Sequence, residues 1–179
     1  MRRCGKGDDG SLISPRAVLY SIAATVFAVD RATKWIIESS VAEWSTIVVI
    51  PGFFQIIHTR NRGAAFSILA DAPESTRLAL LVGLSALVLG FIATLLWNAS
   101  TKLAHEHWSL RIGLSLVFGG ALGNVYDRAL TGAVTDFLDF FLGEYHWPTF
   151  NAADTAITCG AALMLLSIWR GRRRQPVHP

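Results

Sequence analysis

Charge is what this chain is short of. Asp, Glu, Lys and Arg make up 16% of its 179 residues, against about 25% in an ordinary soluble domain. Hydrophobic residues reach 52%, and mean hydropathy is +0.42. That balance excludes a disordered chain and one that coats nucleic acid. Cysteine is nearly missing as well. Cys4 and Cys159 are the only two, so a small disulfide scaffold is excluded, and neither lies at metal-ligand spacing from other donors. The five histidines show no paired helical spacing, which speaks against histidine catalysis. No internal repeat or low-complexity stretch is present, and the length suits one domain. No metal, no cofactor and no nucleic-acid partner is expected.

Long apolar runs are what the chain does have. A bilayer-spanning helix needs about 20 largely apolar residues, and four segments approach that. Leu78 to Trp97 is uncharged throughout. Ala17 to Val29 is followed by Asp30, Arg31 and Lys34, Ile112 to Tyr126 by Asp127 and Arg128, and Thr155 to Trp169 is preceded by Asn151 and Asp154. The expected architecture is therefore an all-α membrane protein of four transmembrane helices with a small β element in the first outer loop. The first span lacks a small-residue cleavage site and reads as a retained helix, not a signal peptide.

Basic residues set the orientation. Arg2, Arg3, Lys6 and Arg16, then Lys102 and Arg111, then Arg170, Arg172, Arg173 and Arg174 place ten of the sixteen on one side. That side is assigned to the cytoplasm, with both termini on it. The expected organisation is a cytoplasmic tail over 1–16, a membrane domain over 17–170 with outer loops at about 38–76 and 129–150, and a basic cytoplasmic tail over 171–179. The tail arginines suit anchorage to anionic membrane lipids. Trp35, Trp44 and Trp147 fall near the outer interface, and Trp97, Trp108 and Trp169 near the inner one. In the first outer loop, Ile47–Ile50 and Phe53–Ile57 flank Pro51-Gly52, the pattern of a hairpin on the membrane surface.

This topology gathers the scattered polar residues into one layer. Asp30 lies thirteen residues above Ala17, about 20 Å at the helical rise. Asn124, Asp127 and Arg128 reach a similar height on the third span, and Asn151 and Asp154 open the fourth. Asp30 and Lys34 stand at i,i+4, which fits a helix-end ion pair as well as a functional couple. Asn124 shares a face with Asp127 at i+3 and Arg128 at i+4. Asn151 suits a helix N-cap, and Asp154 suits a first turn. Gly119, Gly120 and Gly123 form a small-residue face for close helix packing. Asp136 and Asp154 lack a basic neighbour in sequence. Two carboxylates brought close together share a proton, because both cannot ionise cheaply. One is then a base for water and the other an acid for a carbonyl oxygen, the requirement for metal-free peptide hydrolysis. Intramembrane carboxylates also serve proton-coupled transporters, and that alternative stays open at this point.

Five stretches in order carry a resemblance. They are Asp30-Arg-Ala-Thr-Lys34, Asn61-Arg-Gly63-Ala-Ala-Phe66, Gly119-Gly-Ala-Leu-Gly-Asn124-Val-Tyr-Asp127-Arg128, Gly132-Ala-Val-Thr-Asp136-Phe137 and Phe150-Asn151-Ala-Ala-Asp154. Together they resemble the lipoprotein signal peptidases, also known as signal peptidase II, of bacterial inner membranes. The resemblance implies a multi-pass aspartyl endopeptidase with its site near the outer leaflet. Its implied substrates are prolipoproteins carrying a diacylglyceryl group on a cysteine, cut just before that cysteine. It implies Asp136 and Asp154 as the catalytic pair. Asn61, Gly63, Asn124, Asp127, Arg128 and Asn151, with Asp30 and Lys34, become residues that bind substrate or support the pair. Asp139, three residues beyond Asp136, competes for the assignment, but Asp136 stands at the motif's distance from Gly132. The tail over 1–14 has no counterpart in the pattern.

Overall fold

The computed structural model describes residues 14–63, 73–101 and 107–172. Four long helices carry the chain. α1 spans Pro15–Ser40, α2 Glu74–Thr101, α3 Trp108–Thr131 and α4 Ala152–Arg172. Ser14 caps α1, its Oγ accepting from the Ala17 amide at 3.2 Å, with Pro15 in the first turn. Proline costs nothing there, because that turn's N–H groups have no helical acceptor. α3 ends where Gly132 turns left-handed at φ 72° and returns its N–H to the Arg128 carbonyl, a glycine-favoured stop.

α3 is the central helix and packs against the other three. Its glycines allow this. A Cβ on Gly119 would lie 2.5 Å from the Ala23 carbonyl of α1, and one on Gly120 2.5 Å from the Ala153 carbonyl of α4. Gly113 and Gly160 approach each other's backbones in the same way. Close backbone approach through small residues is how helices associate where lipid removes the hydrophobic drive. Leu19, Leu96, Ala99 and Leu114 make a core at the end of the bundle where α1 and α3 begin.

Among the described residues, two helices are long and apolar enough to cross a bilayer by length and composition, Leu78–Ala99 and Ala152–Arg170. α1 and α3 are as long but carry the charges of the polar layer. α1 does not end at those charges, because Asp30 and Lys34 neutralise each other within the helix. The α2 surface is apolar and uncovered, with Leu84, Leu87 and Phe91 all exposed. Burial against protein does not account for that face; contact with lipid does.

The sheet corrects the sequence expectation. A hairpin of β1, Thr46–Ile50, and β2, Phe54–Asn61, forms in the first long loop around Pro51-Gly52. It does not stand alone. β3, Val134–Leu142, and β4, Tyr145–His146, come from the second loop and complete a four-stranded antiparallel sheet in the order β1-β2-β3-β4. The β3 run Val-Thr-Asp-Phe-Leu-Asp-Phe-Phe-Leu is strand-forming, but two acids interrupt its apolar alternation. Asp136 is thus on a strand paired to β2 opposite Thr59, with Asn61 opposite Val134. Ile37 of α1 and Val41 just after it pack on Phe137, fixing the sheet to the bundle's end. Cys159 is free and exposed; Cys4 lies outside the described residues, as do residues 1–13 and 173–179 of the two tails and Ala64–Phe66.

The Gly120 contact yields a direct test. Gly120→Val should lower stability by about 1–3 kcal/mol, the usual cost of overpacking, read as a lower thermal unfolding midpoint in detergent. An unchanged midpoint would contradict the α3–α4 packing.

Candidate active site

The polar layer is built around one buried cation. Lys34 and Asp30 are both fully buried, with Nζ 2.8 Å from Asp30 Oδ2. Nζ also lies 2.7 Å from Asp127 Oδ2 and donates to Asn124 Oδ1 at 3.0 Å. Asp127 takes a second cation, because Arg31 donates to its Oδ1. The Arg31 guanidinium also sits over the Tyr126 ring, 4.9 Å from its centroid. Two carboxylates thus face two cations, and the group is neutral as a whole. Asp30 has one further partner, the Ala153 amide of α4, which donates to Oδ1 at 3.0 Å. Free amides at a helix start favour an anion, so Asp30 ties α1 to the start of α4. Gly123 leaves room for this, since a Cβ there would collide with the Asp30 carboxylate. Helix packing explains Gly119 and Gly120, but Gly123 belongs to the polar layer.

Asn151 and Asp154 form a reciprocal cap on α4. Asn151 Oδ1 accepts from the Asp154 amide at 3.0 Å, and Asp154 Oδ2 accepts from the Asn151 amide at 3.3 Å. This is a capping box, with aspartate in place of the usual glutamate or glutamine at the third position. Each cap residue has a spare polar atom, and both spare atoms point into the layer. Asn151 Nδ2 donates to Asp136 Oδ1 at 2.7 Å, and Asp154 Oδ1 accepts from Asn124 Nδ2 at 2.8 Å. Asn61 Nδ2, at the end of β2, donates to Asp136 Oδ2 at 3.0 Å. Its Oδ1 accepts from the Gly63 amide at 2.9 Å, with Gly63 at φ 89°. A side chain is strained at that angle, and one here would also meet Leu81 of α2.

Asp136 and Asp154 therefore meet at Asn151, which donates its side-chain amide to one and its backbone amide to the other. Asp136 is almost fully buried. Burial pushes its carboxyl up from the ordinary 3.8 to about 6, the donors Asn61 and Asn151 oppose the rise, and the nearby Asp154 adds to it. A carboxyl shifted towards neutrality beside a second carboxylate is the pattern expected of acid–base chemistry.

The competing acid is engaged elsewhere. Asp139 is buried on β3 and accepts from Gln55 Nε2 at 2.6 Å, with His146 Nδ1 2.9 Å from its Oδ2. The structure brings Asp30, Lys34, Asn61, Gly63, Asn124, Asp127, Asp136, Asn151 and Asp154 into one connected layer. Arg128 is the exception. It follows Asp127 directly, so its side chain leaves α3 at a different angle, and its buried Nε has no hydrogen-bond partner among the described residues. Sequence reasoning missed Arg31, although counting charges beside Asp30 and Asp127 would have flagged the need for a second cation. It also missed the Ala153 amide, which no side-chain pattern reveals.

A bundle with uncovered apolar faces and, at one end, a buried carboxyl beside a half-buried one has the build of a membrane enzyme. The comparisons agree. The family model described as signal peptidase (SPase) II matches residues 22–170, and the chain belongs to that family. It is 49% identical over 155 residues to the lipoprotein signal peptidase of Solibacter usitatus, covering 87% of this chain and 92% of that one. It is 44% identical over 158 residues to the lipoprotein signal peptidase of Geobacter sulfurreducens, covering 88% and 95%. A solved bacterial membrane enzyme superposes with a TM-score of 0.74 at 30% identity, over 93% of this chain and 96% of that one. A second has a TM-score of 0.71 at 33% identity, over 87% and 94%. The protein is a peptidase of the membrane, and the carrier alternative falls away.

Lys34 gives the test of this layer. Lys34→Met would leave two buried carboxylates facing one cation, and removing one partner of a buried pair costs about 3–5 kcal/mol. The thermal midpoint should fall sharply, and Lys34→Met unfolding at the wild-type temperature would contradict the network.

Proposed function

We propose that this chain is an aspartyl endopeptidase that removes signal peptides from diacylglyceryl-modified prolipoproteins, cutting just before the lipidated cysteine. Family membership supports the substrate class. The observation that carries the mechanism is the single residue, Asn151, hydrogen-bonded to both Asp136 and Asp154.

Asp136, its carboxyl pushed up by burial, holds the shared proton, and Asp154 is the base. Water attacks the scissile carbonyl carbon while giving a proton to Asp154, and Asp136 donates its proton to the carbonyl oxygen. A neutral tetrahedral diol results. Collapse breaks the C–N bond, Asp154 passes its proton to the leaving amine, and the departing hydroxyl proton returns to Asp136. The pair ends as it began. Asn61 and Asn151 hold Asp136 in place, and Lys34 acts through Asn124 to orient Asp154. Arg128, whose Nε has no hydrogen-bond partner among the described residues, is assigned to hold a substrate carbonyl.

Four transmembrane helices, cytoplasmic termini and a site near the outer leaflet of the bacterial inner membrane complete the proposal. The uncovered apolar surfaces support it. The acyl chains of a lipidated cysteine then stay in the bilayer while the sheet covers the peptide above. The proposed membrane domain runs from 17 to 170, between two cytoplasmic tails.

Two results test this. Purified protein in detergent should cleave a diacylglyceryl-modified prolipoprotein, detected by gel shift, and leave the unmodified precursor intact; equal cleavage of both would contradict the substrate assignment. The pH dependence has a sign. The free enzyme's kcat/KM should fall as pH rises through about 6, where Asp136 loses its proton. Asn61→Leu removes a donor to the ionised form and should move that limb to higher pH. A limb that stays put or moves down would contradict Asp136 as the acid.

A further inference from the structure

One face of the bundle carries a continuous apolar groove that the peptidase chemistry does not use. It begins at the end far from the sheet, where Val18, Leu19, Trp108, Arg111 and Ile112 line a cavity of about 260 Å³. Val18 is shared with the next cavity, of about 460 Å³, which runs along α1 past Ile22 to Val26 against Leu116 of α3. Thr25, Val26 and Leu116 are shared in turn with a third cavity of about 530 Å³ that reaches Phe137 and Leu138 under the sheet. From Val18 to Thr33 the groove follows α1 for about 22 Å.

The walls present carbon. Thr25, Thr33 and Thr155 line the groove, yet each hydroxyl donates to a backbone carbonyl of its own helix, Ser21, Val29 and Asn151, at 2.8 to 3.0 Å. Those hydroxyls are thus occupied, and apart from Ser21 and Cys159 the remaining lining along α1 is carbon. A peptide backbone would leave most of its polar groups unpaired there, whereas an acyl chain has none to pair.

The mouth is different. Arg111 lies in the first turn of α3, which contains no acidic residue. Its Nε is buried with no hydrogen-bond partner, and its guanidinium makes no ion pair among the described residues. Beside it, Trp108 is exposed, and its indole N–H meets no acceptor among the described residues. An arginine at a helix start, flanked by an indole at the water boundary, is complementary to a phosphate. From Val18 to Val26 the groove is about 12 Å deep, close to half of the roughly 30 Å hydrocarbon core.

We infer that this groove holds one phospholipid of the cytoplasmic leaflet, its phosphodiester on Arg111 and one acyl chain along α1 between Val18 and Leu116. A second copy of the chain is the competing occupant, but it would need an acid to meet Arg111 and would leave the groove's depth unfilled. The bound lipid fills the gap along α1 where no helix among the described residues packs, and its phosphate lies at the opposite end of the bundle from Asp136 and Asp154.

Native mass spectrometry tests this on the full chain, using micelles doped with dioleoylphosphatidylglycerol or with phosphate-free monoolein. Wild type should retain one phosphatidylglycerol and no monoolein. Arg111→Gln should reduce retention about tenfold, Arg111→Lys should keep part of it, and Val18→Trp should abolish it by filling the groove. Cleavage of a lipidated prolipoprotein should be unchanged in Arg111→Gln, which separates loss of the lipid from loss of the fold. Retention unchanged in both Arg111→Gln and Val18→Trp, equal retention of monoolein, or a wild-type dimer dissociated by Val18→Trp would overturn the inference. If Val18→Trp fails to fold, the Arg111 pair alone decides it.

Discussion

The structure depends on satisfying one buried ammonium group. Lys34 cannot reach water, and burying a lone charge costs several kcal/mol even after the protein relaxes. Its partners come from two helices: Asp30 one turn back on α1, and Asp127 and Asn124 on α3. Asp30 then reaches the start of α4 through the Ala153 amide. Three helices are thereby held in register at one depth by contacts that are directional, unlike apolar packing against lipid-like surfaces. Any sliding of one helix by a turn would strand a charge.

The same requirement builds the site. Asn124 accepts from Lys34 with its oxygen, so its amide is left to donate, and it donates to Asp154. Asn151 caps α4 with its oxygen, so its amide is likewise left over, and it donates to Asp136. Each asparagine spends one end on architecture and the other on a candidate catalytic carboxylate. Structure and chemistry are therefore not separable here by residue. The cap interpretation of Asn151 and the ion-pair interpretation of Lys34 are both correct, and both describe parts of the site.

Much of this was legible in the sequence because helices convert spacing into depth. Asp30, Asn124, Asp127, Asn151 and Asp154 could be placed at one level from the 1.5 Å rise and the alternating direction of the runs, and the i,i+4 pair Asp30–Lys34 followed from periodicity. The sheet was harder. The hairpin around Pro51-Gly52 announced itself by local turn chemistry, but the pairing of β2 with β3 joins residues about 80 positions apart, and no local pattern encodes that. This is why Asp136 was expected in a loop and is found on a strand. Gly123 was read as packing for a similar reason, since the group its missing side chain makes room for lies on another helix. Arg111 was counted only as a positive charge, because sequence does not reveal that it meets no acid among the described residues.

The central claim is that Asp136 and Asp154 act as one acid–base pair. Single-turnover cleavage of a diacylglyceryl-modified prolipoprotein by Asp136→Asn and Asp154→Asn proteins tests it most directly, with wild-type-like thermal midpoints as the control for folding. Each variant should be slower by about 10²–10⁴-fold, the usual loss for a general acid or base, and the double variant little worse than either, because the two residues work as a unit. Wild-type cleavage by either single variant would contradict the account.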